Sequence, residues 1–200
     1  TCRCGGSNSV GQLGRNNTIS DVASPFNLSA LPVISFLPAR IVKVVAGLSG
    51  TCVLLNTSIV RCWGNNGFGQ LGIPFNPSIP NILSFLDSPI ISLLPSGYAI
   101  TDVQILRSNT CFVLKSLNLS DTQVTVRCIG NFAFGVLGDD STTSRYNISE
   151  ALSVVGNAGF FSASYDKAPL VKFLVPANYV PCLLVASGDV RCWGNNVNNA

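Results

Sequence analysis

The segment Arg61–Gly72 reads RCWGNNGFGQLG, and copies of it recur along the chain. Residues Arg191–Asn196 repeat its first half without change, whereas the copies that begin at Arg3 and Arg127 lack the tryptophan but keep the Gly-x-Leu-Gly ending. Each copy contains one anchoring cysteine, and the anchors are 58, 66 and 64 residues apart: Cys4, Cys62, Cys128 and Cys192. Self-similarity at a nearly fixed period is typical of repeat architectures, so one structural unit is predicted to recur.

A second cysteine precedes three of the four anchors, by ten residues at Cys52 and Cys182 and by seventeen at Cys111. The interval after Cys52 contains two aliphatic runs on either side of a polar turn at Asn56–Ser58, which predicts a β-hairpin. Residues symmetric about a hairpin turn face each other, with Cα atoms about 4.5 Å apart in a non-hydrogen-bonded pair. We therefore expect three disulfides: Cys52–Cys62, Cys111–Cys128 and Cys182–Cys192.

Two other roles for these cysteines are open. Zinc sites favour cysteines separated by two to four residues, often with histidine, and spacings of ten and seventeen fit that pattern poorly. Free thiols in a core are the second alternative. Cys4 aligns with Cys62, so its partner is expected before Thr1, whereas Cys2 aligns with Val60 and has no counterpart in the repeat pattern.

Short apolar runs precede each hairpin, at Ile41–Val45, Ala99–Leu106 and Leu170–Val175. Together with one more apolar stretch after each turn, they give about four strands per repeat and no long helical period. Four strands at a period near 60 residues favour an all-β fold of propeller blades, each a four-stranded antiparallel sheet. Two linker segments, Ile82–Phe85 and Glu150–Val155, are predicted to form at most a helical turn.

Apolar residues of the repeat are expected to fill the core. The leucines of the Gly-x-Leu-Gly turns are predicted to be buried in the core: Leu13, Leu71 and Leu137. The two tryptophans are predicted to pack between blades: Trp63 and Trp193.

The pattern RCWGNN followed by GQLG resembles the repeat of the regulator of chromosome condensation family. That resemblance implies blades of a seven-bladed propeller, so residues 1–200 are expected to form about three blades of one domain, an incomplete ring within a longer chain. The family's nuclear members commonly carry a histidine before the hairpin and lack regular cysteine pairs. The cysteine-bearing version resembles extracellular relatives, such as the ectodomains of plant crinkly-type receptor kinases. The resemblance therefore implies the fold and not guanine-nucleotide exchange.

Five Asn-x-Ser/Thr triplets are candidate N-glycosylation sites: Asn16, Asn27, Asn56, Asn118 and Asn147. Asn56 falls at the centre of the Cys52–Cys62 hairpin, and Asn118 falls within the longer Cys111–Cys128 interval. A glycan on either turn would project into solvent. Paired cysteines and these triplets both indicate the secretory route and an extracellular or cell-surface location.

Composition excludes several classes of function. Only 10% of residues are charged and the net charge is +3, too weak for a nucleic-acid partner. The chain has no histidine, which removes the commonest general base and metal ligand. The apolar stretches Leu31–Leu48 and Ile82–Ile100 are interrupted by prolines and charges, so no membrane span is expected. We expect no cofactor and no metal, and we interpret Asp139–Asp140 as a solvated turn rather than a catalytic pair.

Two functions remain from the sequence. The first is a structural module of an extracellular glycoprotein, part of a cell-surface or flagellar filament, because so few charges imply exposed apolar surface that contacts other subunits or further domains of the same chain. The alternative is a ligand-binding ectodomain. Its candidate contact residues are tyrosines expected on blade-edge loops: Tyr98, Tyr146, Tyr165 and Tyr179. We expect no enzymatic activity.

Overall fold

The structure is a computed structural model, and it describes nine stretches of the chain: residues 1–20, 28–36, 38–74, 76–91, 97–118, 124–131, 172–177, 180–184 and 188–194. Within these stretches the regular structure is β-strand, apart from one 3-10 turn at Leu28–Ala30. The described residues include no helix long and apolar enough to cross a membrane.

The strands form three antiparallel sheets. The first sheet consists of β1 (Ile41–Ala46), β2 (Gly50–Leu55), β3 (Val60–Asn65), β4 (Asn81–Ile82) and β5 (Ile90–Ile91). The second consists of β6 (Tyr98–Ile105), β7 (Asn109–Ser116) and β8 (Val124–Gly130). The third consists of β9 (Lys172–Ala177), β10 (Val180–Leu184) and β11 (Val190–Cys192). The predicted strands before the hairpins correspond to β1, β6 and β9.

The outer position of the first sheet is filled by two short strands. Both pair with β3: Ile82 of β4 lies opposite Gly64, and Ile91 of β5 lies opposite Val60. The sheet is therefore four strands wide, with an interrupted outer strand. The predicted helical turn at Ile82–Phe85 is wrong, because Ile82 belongs to β4 and Ser84 forms an isolated bridge with Arg15 of the preceding unit. Residues 150–155 lie outside the described residues.

The hydrophobic cores lie between sheets rather than within one sheet. One cluster joins the first and second sheets, with Val45 and Leu54 on one side and Ile100 and Phe112 on the other. A second cluster joins the second and third sheets through Val113, Leu183 and their neighbours. Because both faces of a middle sheet pack against others, every residue of β2 is buried. This face-to-face stacking of small antiparallel sheets is the arrangement of propeller blades.

Residues 1–20 and 28–36 contribute part of a preceding unit. Cys2 forms an isolated bridge with Ile34, in the same relation as Val60 to Ile91 in the first sheet. The cluster between this unit and the first sheet contains Ile34, Val53 and Trp63. The strands that open each sheet lie next to one another, since β1 contacts β6 and β6 contacts β9. The sheets therefore fan outward from their first strands, and the fold is a partial β-propeller.

Candidate functional site

The cysteines of each hairpin lie opposite each other in register. Disulfides link Cys52 to Cys62, Cys111 to Cys128, and Cys182 to Cys192, with Cα atoms 4.1, 4.0 and 4.1 Å apart. The first two disulfides are buried between neighbouring sheets, whereas Cys192 is exposed. Cross-links that close loops of this length stabilise a fold by roughly 2–4 kcal/mol each.

The two described Gly-Gln-Leu-Gly turns have the same hydrogen bonds. The backbone N–H of Leu13 donates to Asn8 Oδ1 at 2.8 Å, and that of Leu71 donates to Asn66 Oδ1 at 2.9 Å. The glutamine side chain then accepts from the N–H two residues before it, at 3.0 Å in the first turn and 2.9 Å in the second. Both leucines are buried, as predicted. Leu137 lies outside the described residues.

A threonine hydroxyl connects each turn to the next sheet. Thr51 Oγ1 donates to the carbonyl oxygen of Gln12 at 2.8 Å, and Thr110 Oγ1 donates to that of Gln70 at 2.7 Å. Trp63 Nε1 adds a second donor to the Gln12 oxygen, at 3.0 Å. Ile129 occupies the equivalent position in the second sheet, because it lies opposite Thr110 as Trp63 lies opposite Thr51. An isoleucine side chain has no hydrogen-bond donor, so the second sheet lacks this additional bond. These contacts join consecutive units, and sequence reasoning missed them.

Both tryptophans pack between units, as predicted. Trp63 is fully buried in the cluster against the N-terminal unit, and it contacts the rings of Phe36 and Phe85 at centroid distances of 6.5 and 6.3 Å. Trp193 packs against the cluster between the second and third sheets.

An ion pair joins the first strands of two neighbouring sheets. Lys43 Nζ of β1 contacts Asp102 Oδ1 of β6, and Asp102 also accepts from the Val103 N–H at 2.8 Å. Lys43 and Asp102 are equivalent residues of the repeat, because each directly follows an irregularity in the pairing of the first strand of its sheet with the second. The signal of this pair in the sequence is the opposite charge of two residues at equivalent repeat positions.

Three of the five predicted glycosylation asparagines lie in the described residues, and all three are exposed: Asn16, Asn56 and Asn118. Asn56 follows β2, and Asn118 lies between β7 and β8. Both therefore occupy second-hairpin turns of consecutive sheets and lie at the same end of the fold. Asn27 and Asn147 lie outside the described residues.

A cleft of about 380 Å³ opens between the N-terminal unit and the first sheet. Its lining is mostly apolar with one cation: Ser35, Phe36, Ala39, Leu55, Thr57, Ile59, Arg61 and Leu86. The Arg61 guanidinium lies 5.6 Å from the Phe36 ring centroid and donates to the carbonyl oxygen of Ser88 at 2.8 Å. The cleft therefore combines an aromatic face with an oriented cation.

The tyrosines that were predicted to contact ligand do not form this cleft in the described structure. Tyr98 begins β6 and packs, partly buried, against the core between the first and second sheets, so its predicted position on a loop is wrong. Tyr146, Tyr165 and Tyr179 lie outside the described residues, as does Asp139–Asp140. Nowhere in the described stretches do three Cys, Asp or Glu side chains cluster in a way that could hold a metal ion.

Cys2 and Cys4 are free thiols, and both are partly buried against the cluster around Ile34 and Trp63. A hydrogen bond from the Cys4 thiol lowers the pKa of Cys2 to about 7. The same hydrogen bond raises the pKa of Cys4, since the donor must keep its proton. The Arg15 guanidinium donates to the Cys4 carbonyl oxygen at 2.6 Å.

The stacked hairpin sheets and the recurring Arg-Cys-Trp-Gly turn define the class: a disulfide-bearing repeat protein with the β-propeller fold. Residues 41–70 match the family described as Regulator of chromosome condensation (RCC1) repeat. This segment therefore contains one repeat of this type, and the other copies of the turn in the chain resemble it. No curated protein matches the chain in sequence.

Solved propellers share the fold at low sequence identity. The crystal structure of human WBSCR16 superposes with a TM-score of 0.64 and 19% identity, covering 96% of this chain and 42% of that one. Yeast RCC1 (Prp20) bound to Kap60 superposes with a TM-score of 0.65 and 21% identity, covering 98% of this chain and 40% of that one. A second structure, of Prp20p from Saccharomyces cerevisiae, gives a TM-score of 0.63 at 20% identity, with 98% and 41% covered. The chain thus spans about two fifths of these propellers.

Proposed function

We propose that the chain is a structural module of an extracellular glycoprotein, with its blades forming part of a larger propeller in a cell-surface or flagellar filament assembly. The observation that carries the proposal is the disulfide across each described hairpin. Disulfides of this kind form and persist in oxidising compartments and are rare in the cytosol. The proposal assigns no reaction to the chain.

The exposed asparagines support a glycosylated surface. Asn56 and Asn118 lie at the same end of consecutive sheets, so N-linked glycans on both would cover that end and leave the opposite end free for protein contacts. Neutral sugars would also compensate for a surface on which charges are scarce.

The third sheet supports contact with a further module. Leu184 and Val190 pair with each other, as Leu54 and Val60 do in the first sheet. Leu54 is 4% exposed and Val60 0%, because the second sheet covers them. Leu184 is 36% exposed and Val190 is 54% exposed. Apolar positions that a neighbouring sheet covers elsewhere in the repeat are expected to be covered by another blade or subunit.

Comparable propellers have protein partners. Yeast RCC1 (Prp20) was solved bound to Kap60, and the Prp20p structure was described together with its binding properties to Gsp1p and histones. Protein partners are therefore compatible with a propeller surface of this class.

Expression through a secretory pathway tests the proposal. We expect treatment with peptide N-glycosidase to lower the mass of the secreted protein, and replacement of Asn56 or Asn118 by Gln to remove one glycan each. Sedimentation of the deglycosylated protein is expected to show association that weakens in Val190→Asp, with Ile79→Asp as a control because Ile79 is also exposed, at 58%. An unglycosylated protein that sediments as one species at all concentrations contradicts the proposal.

The cleft favours a second candidate, a ligand-binding ectodomain. A cavity of about 380 Å³ with an aromatic ring and a guanidinium suits a small ligand with a planar or sugar ring and a negative group. A glycan array read with the wild type and with Arg61→Gln tests this candidate. Saturable binding that Arg61→Gln abolishes supports it, whereas a blank array, or binding that Arg61→Gln leaves unchanged, contradicts it.

A further inference from the structure

The glycosylation triplet Asn56–Ser58 forms the turn of a cross-linked hairpin. Only residues 56–59 separate β2 from β3, and the Ser58 N–H donates to the Leu55 carbonyl oxygen at 3.0 Å across the turn. Ser58 has a φ of +61°, a conformation that residues other than glycine rarely adopt. The Leu55 N–H donates to the Ile59 carbonyl oxygen at 2.8 Å, so the residues on either side of the triplet are also paired. The triplet is therefore held in one compact conformation.

The side chain of the acceptor asparagine is also engaged. The Arg40 N–H, directly before β1, donates to Asn56 Oδ1 at 2.8 Å, and the Asn56 N–H donates to the Arg40 carbonyl oxygen at 2.8 Å. The carboxamide thus extends the pairing of β1 with β2 by one position. Asn56 is exposed, and a glycan on Nδ2 leaves both hydrogen bonds in place, so the folded hairpin can carry a glycan that was attached earlier.

The Cys52–Cys62 disulfide prevents this hairpin from opening. It joins two fully buried residues that are paired in register. Two further residue pairs lie between it and the turn: Val53 with Arg61, and Leu54 with Val60. A cross-link that closes so short a loop removes most of the extended conformations that the loop otherwise adopts.

We propose that Asn56 accepts its glycan only before the Cys52–Cys62 disulfide closes, so that the order of these two modifications sets the fraction of the protein that carries this glycan. This order rests on the proposed function, because it requires a protein that enters the secretory route. In the transfer, Asn56 Nδ2 attacks C1 of an oligosaccharide linked to a lipid diphosphate, the bond from C1 to the diphosphate breaks, and Nδ2 releases one proton. In the closure, two thiols are oxidised to the disulfide, and a disulfide of a thiol oxidoreductase is reduced to two thiols.

The closed hairpin is a poor acceptor for this transfer. The nitrogen of a carboxamide is a weak nucleophile, because its lone pair is delocalised onto the carbonyl oxygen, as in a peptide bond. The hydrogen bond from Arg40 to Asn56 Oδ1 draws that lone pair further toward the oxygen and holds the side chain in place. The transferase reads the third residue of the triplet as well as the asparagine, and Ser58 is fixed in the turn. Transfer therefore requires an open hairpin, which the disulfide excludes.

The second hairpin differs in a way that provides a comparison. Leu117 occupies the position equivalent to the first acceptor, because its N–H donates to the Gly97 carbonyl oxygen, directly before β6, at 2.7 Å. Asn118 lies one residue further, in a longer connection between β7 and β8 that comprises residues 117–123. The disulfide here joins cysteines seventeen residues apart instead of ten. We therefore expect closure of Cys111–Cys128 to restrict glycosylation of Asn118 less.

The two modifications of the first hairpin occur on similar timescales. Synthesis at about 5–20 residues per second adds the ten residues from Cys52 to Cys62 in roughly one second. Disulfide formation takes seconds to hours, depending on the oxidant. We therefore expect a glycan at Asn56 in about half of the wild-type protein, and a roughly twofold increase when closure is prevented.

Site occupancy in cells tests the order. The wild type is compared with two double variants, Cys52→Ser with Cys62→Ser and Cys111→Ser with Cys128→Ser, all expressed through a secretory pathway. Peptide N-glycosidase in heavy-oxygen water labels every asparagine that carried a glycan. Mass spectrometry of total cell protein then gives the occupied fraction of each triplet, whether or not a variant folds well enough to be secreted.

The two double variants have opposite expected results at Asn56. The variant without Cys52–Cys62 is expected to raise occupancy of Asn56 about twofold and to leave Asn16 unchanged, because Asn16 lies outside the loops that the hairpin disulfides close. The variant without Cys111–Cys128 is the matched control, and it is expected to leave Asn56 at the wild-type value.

A second experiment uses the wild-type chain. Protein made while synthesis of the lipid-linked oligosaccharide is inhibited carries no glycan. It is incubated, either oxidised or reduced, with detergent-opened membranes that contain the transferase and its donor. We expect the reduced protein to accept a glycan at Asn56 and the oxidised protein to accept almost none, with Asn16 as the internal reference.

Each result decides the proposal. Equal occupancy of Asn56 in the wild type and both double variants overturns the proposed order and leaves the proposed function standing. A rise at Asn56 in both double variants also overturns it, because the effect then comes from general unfolding. Absence of a glycan from Asn56 in every protein overturns it as well, and the proposed function fails with it only if Asn16 and Asn118 carry none either.

Discussion

Replacing Thr110 by valine tests how consecutive units are joined. Valine has the shape of threonine without its hydroxyl, so the substitution removes the 2.7 Å hydrogen bond to the Gln70 carbonyl oxygen and changes little else. Thr110 is fully buried, and among the described residues no other donor reaches this oxygen. The oxygen is therefore left buried without a partner, which costs about 1–3 kcal/mol, whereas the net contribution of an ordinary hydrogen bond is only about 1 kcal/mol.

The first sheet provides a matched control. Thr51→Val removes the equivalent 2.8 Å hydrogen bond to Gln12, but the Gln12 oxygen keeps the Trp63 Nε1 donor at 3.0 Å. We therefore expect Thr51→Val to lower the free energy of unfolding by only about 1 kcal/mol, and Thr110→Val to lower it by about 2–3 kcal/mol. The gain from the added methyl group is similar in the two variants and cancels in the comparison.

Guanidinium unfolding of both variants under the same oxidising conditions measures the difference. The midpoint of Thr110→Val is expected below that of Thr51→Val, with unchanged slopes that show the same surface being exposed. If the two midpoints coincide, or if Thr51→Val is the less stable protein, the reasoning from an orphaned carbonyl oxygen is wrong.

Three further predictions concern the same fold. Asp102→Asn removes the ion pair with Lys43 but keeps the acceptor for the Val103 N–H. We expect the free energy of unfolding to fall by about 1 kcal/mol, and by less in high salt. A loss of stability that does not depend on salt argues against the ion pair. Gly130→Ala is expected to prevent folding or to cost several kcal/mol, because φ at this position is +110° and the new Cβ would lie 2.2 Å from a backbone oxygen. Gly97→Ala is the milder control, because φ is +88° there but no atom lies within 4 Å of the new Cβ. Equal thermal midpoints for the two variants would contradict a steric clash at Gly130. Replacing both cysteines of Cys52–Cys62 by alanine is expected to cost about 2–4 kcal/mol by thermal unfolding, and no change in midpoint contradicts the proposed cross-link.

The repeat and its strands could be predicted from local sequence. The turn residues at Asn56–Ser58 and the aliphatic runs around them determine a hairpin, and the register of that hairpin places Cys52 opposite Cys62. Burial of Leu71 could be predicted as well, because the surrounding glycines recur with it in each copy of the turn. These features depend on residues within about twenty positions of one another.

The candidate sites were only partly predictable. Exposure of Asn56 follows from its place in a turn, but the cleft beside Arg61 depends on how the N-terminal unit packs on the first sheet. Tyr98 was misplaced because the apolar run that predicted the strand begins at Ala99, whereas β6 begins one residue earlier and includes Tyr98. A helical turn was predicted at Ile82–Phe85, where the chain instead forms β4 and an isolated bridge. The residues that pair with this segment, Gly64 and Arg15, are distant in sequence, so no local pattern indicates the pairing.

The sequence by itself determined the period, the hairpins and the positions of the cross-linked cysteines, because a strand, its turn and its partner strand are contiguous in the chain. Only the tertiary structure decided how the units meet. The ion pair of Lys43 and Asp102 joins residues 59 apart, and the hydrogen bond from Thr110 to Gln70 joins residues 40 apart. Such contacts depend on the distance and rotation between two stacked sheets, which no local pattern of residues specifies.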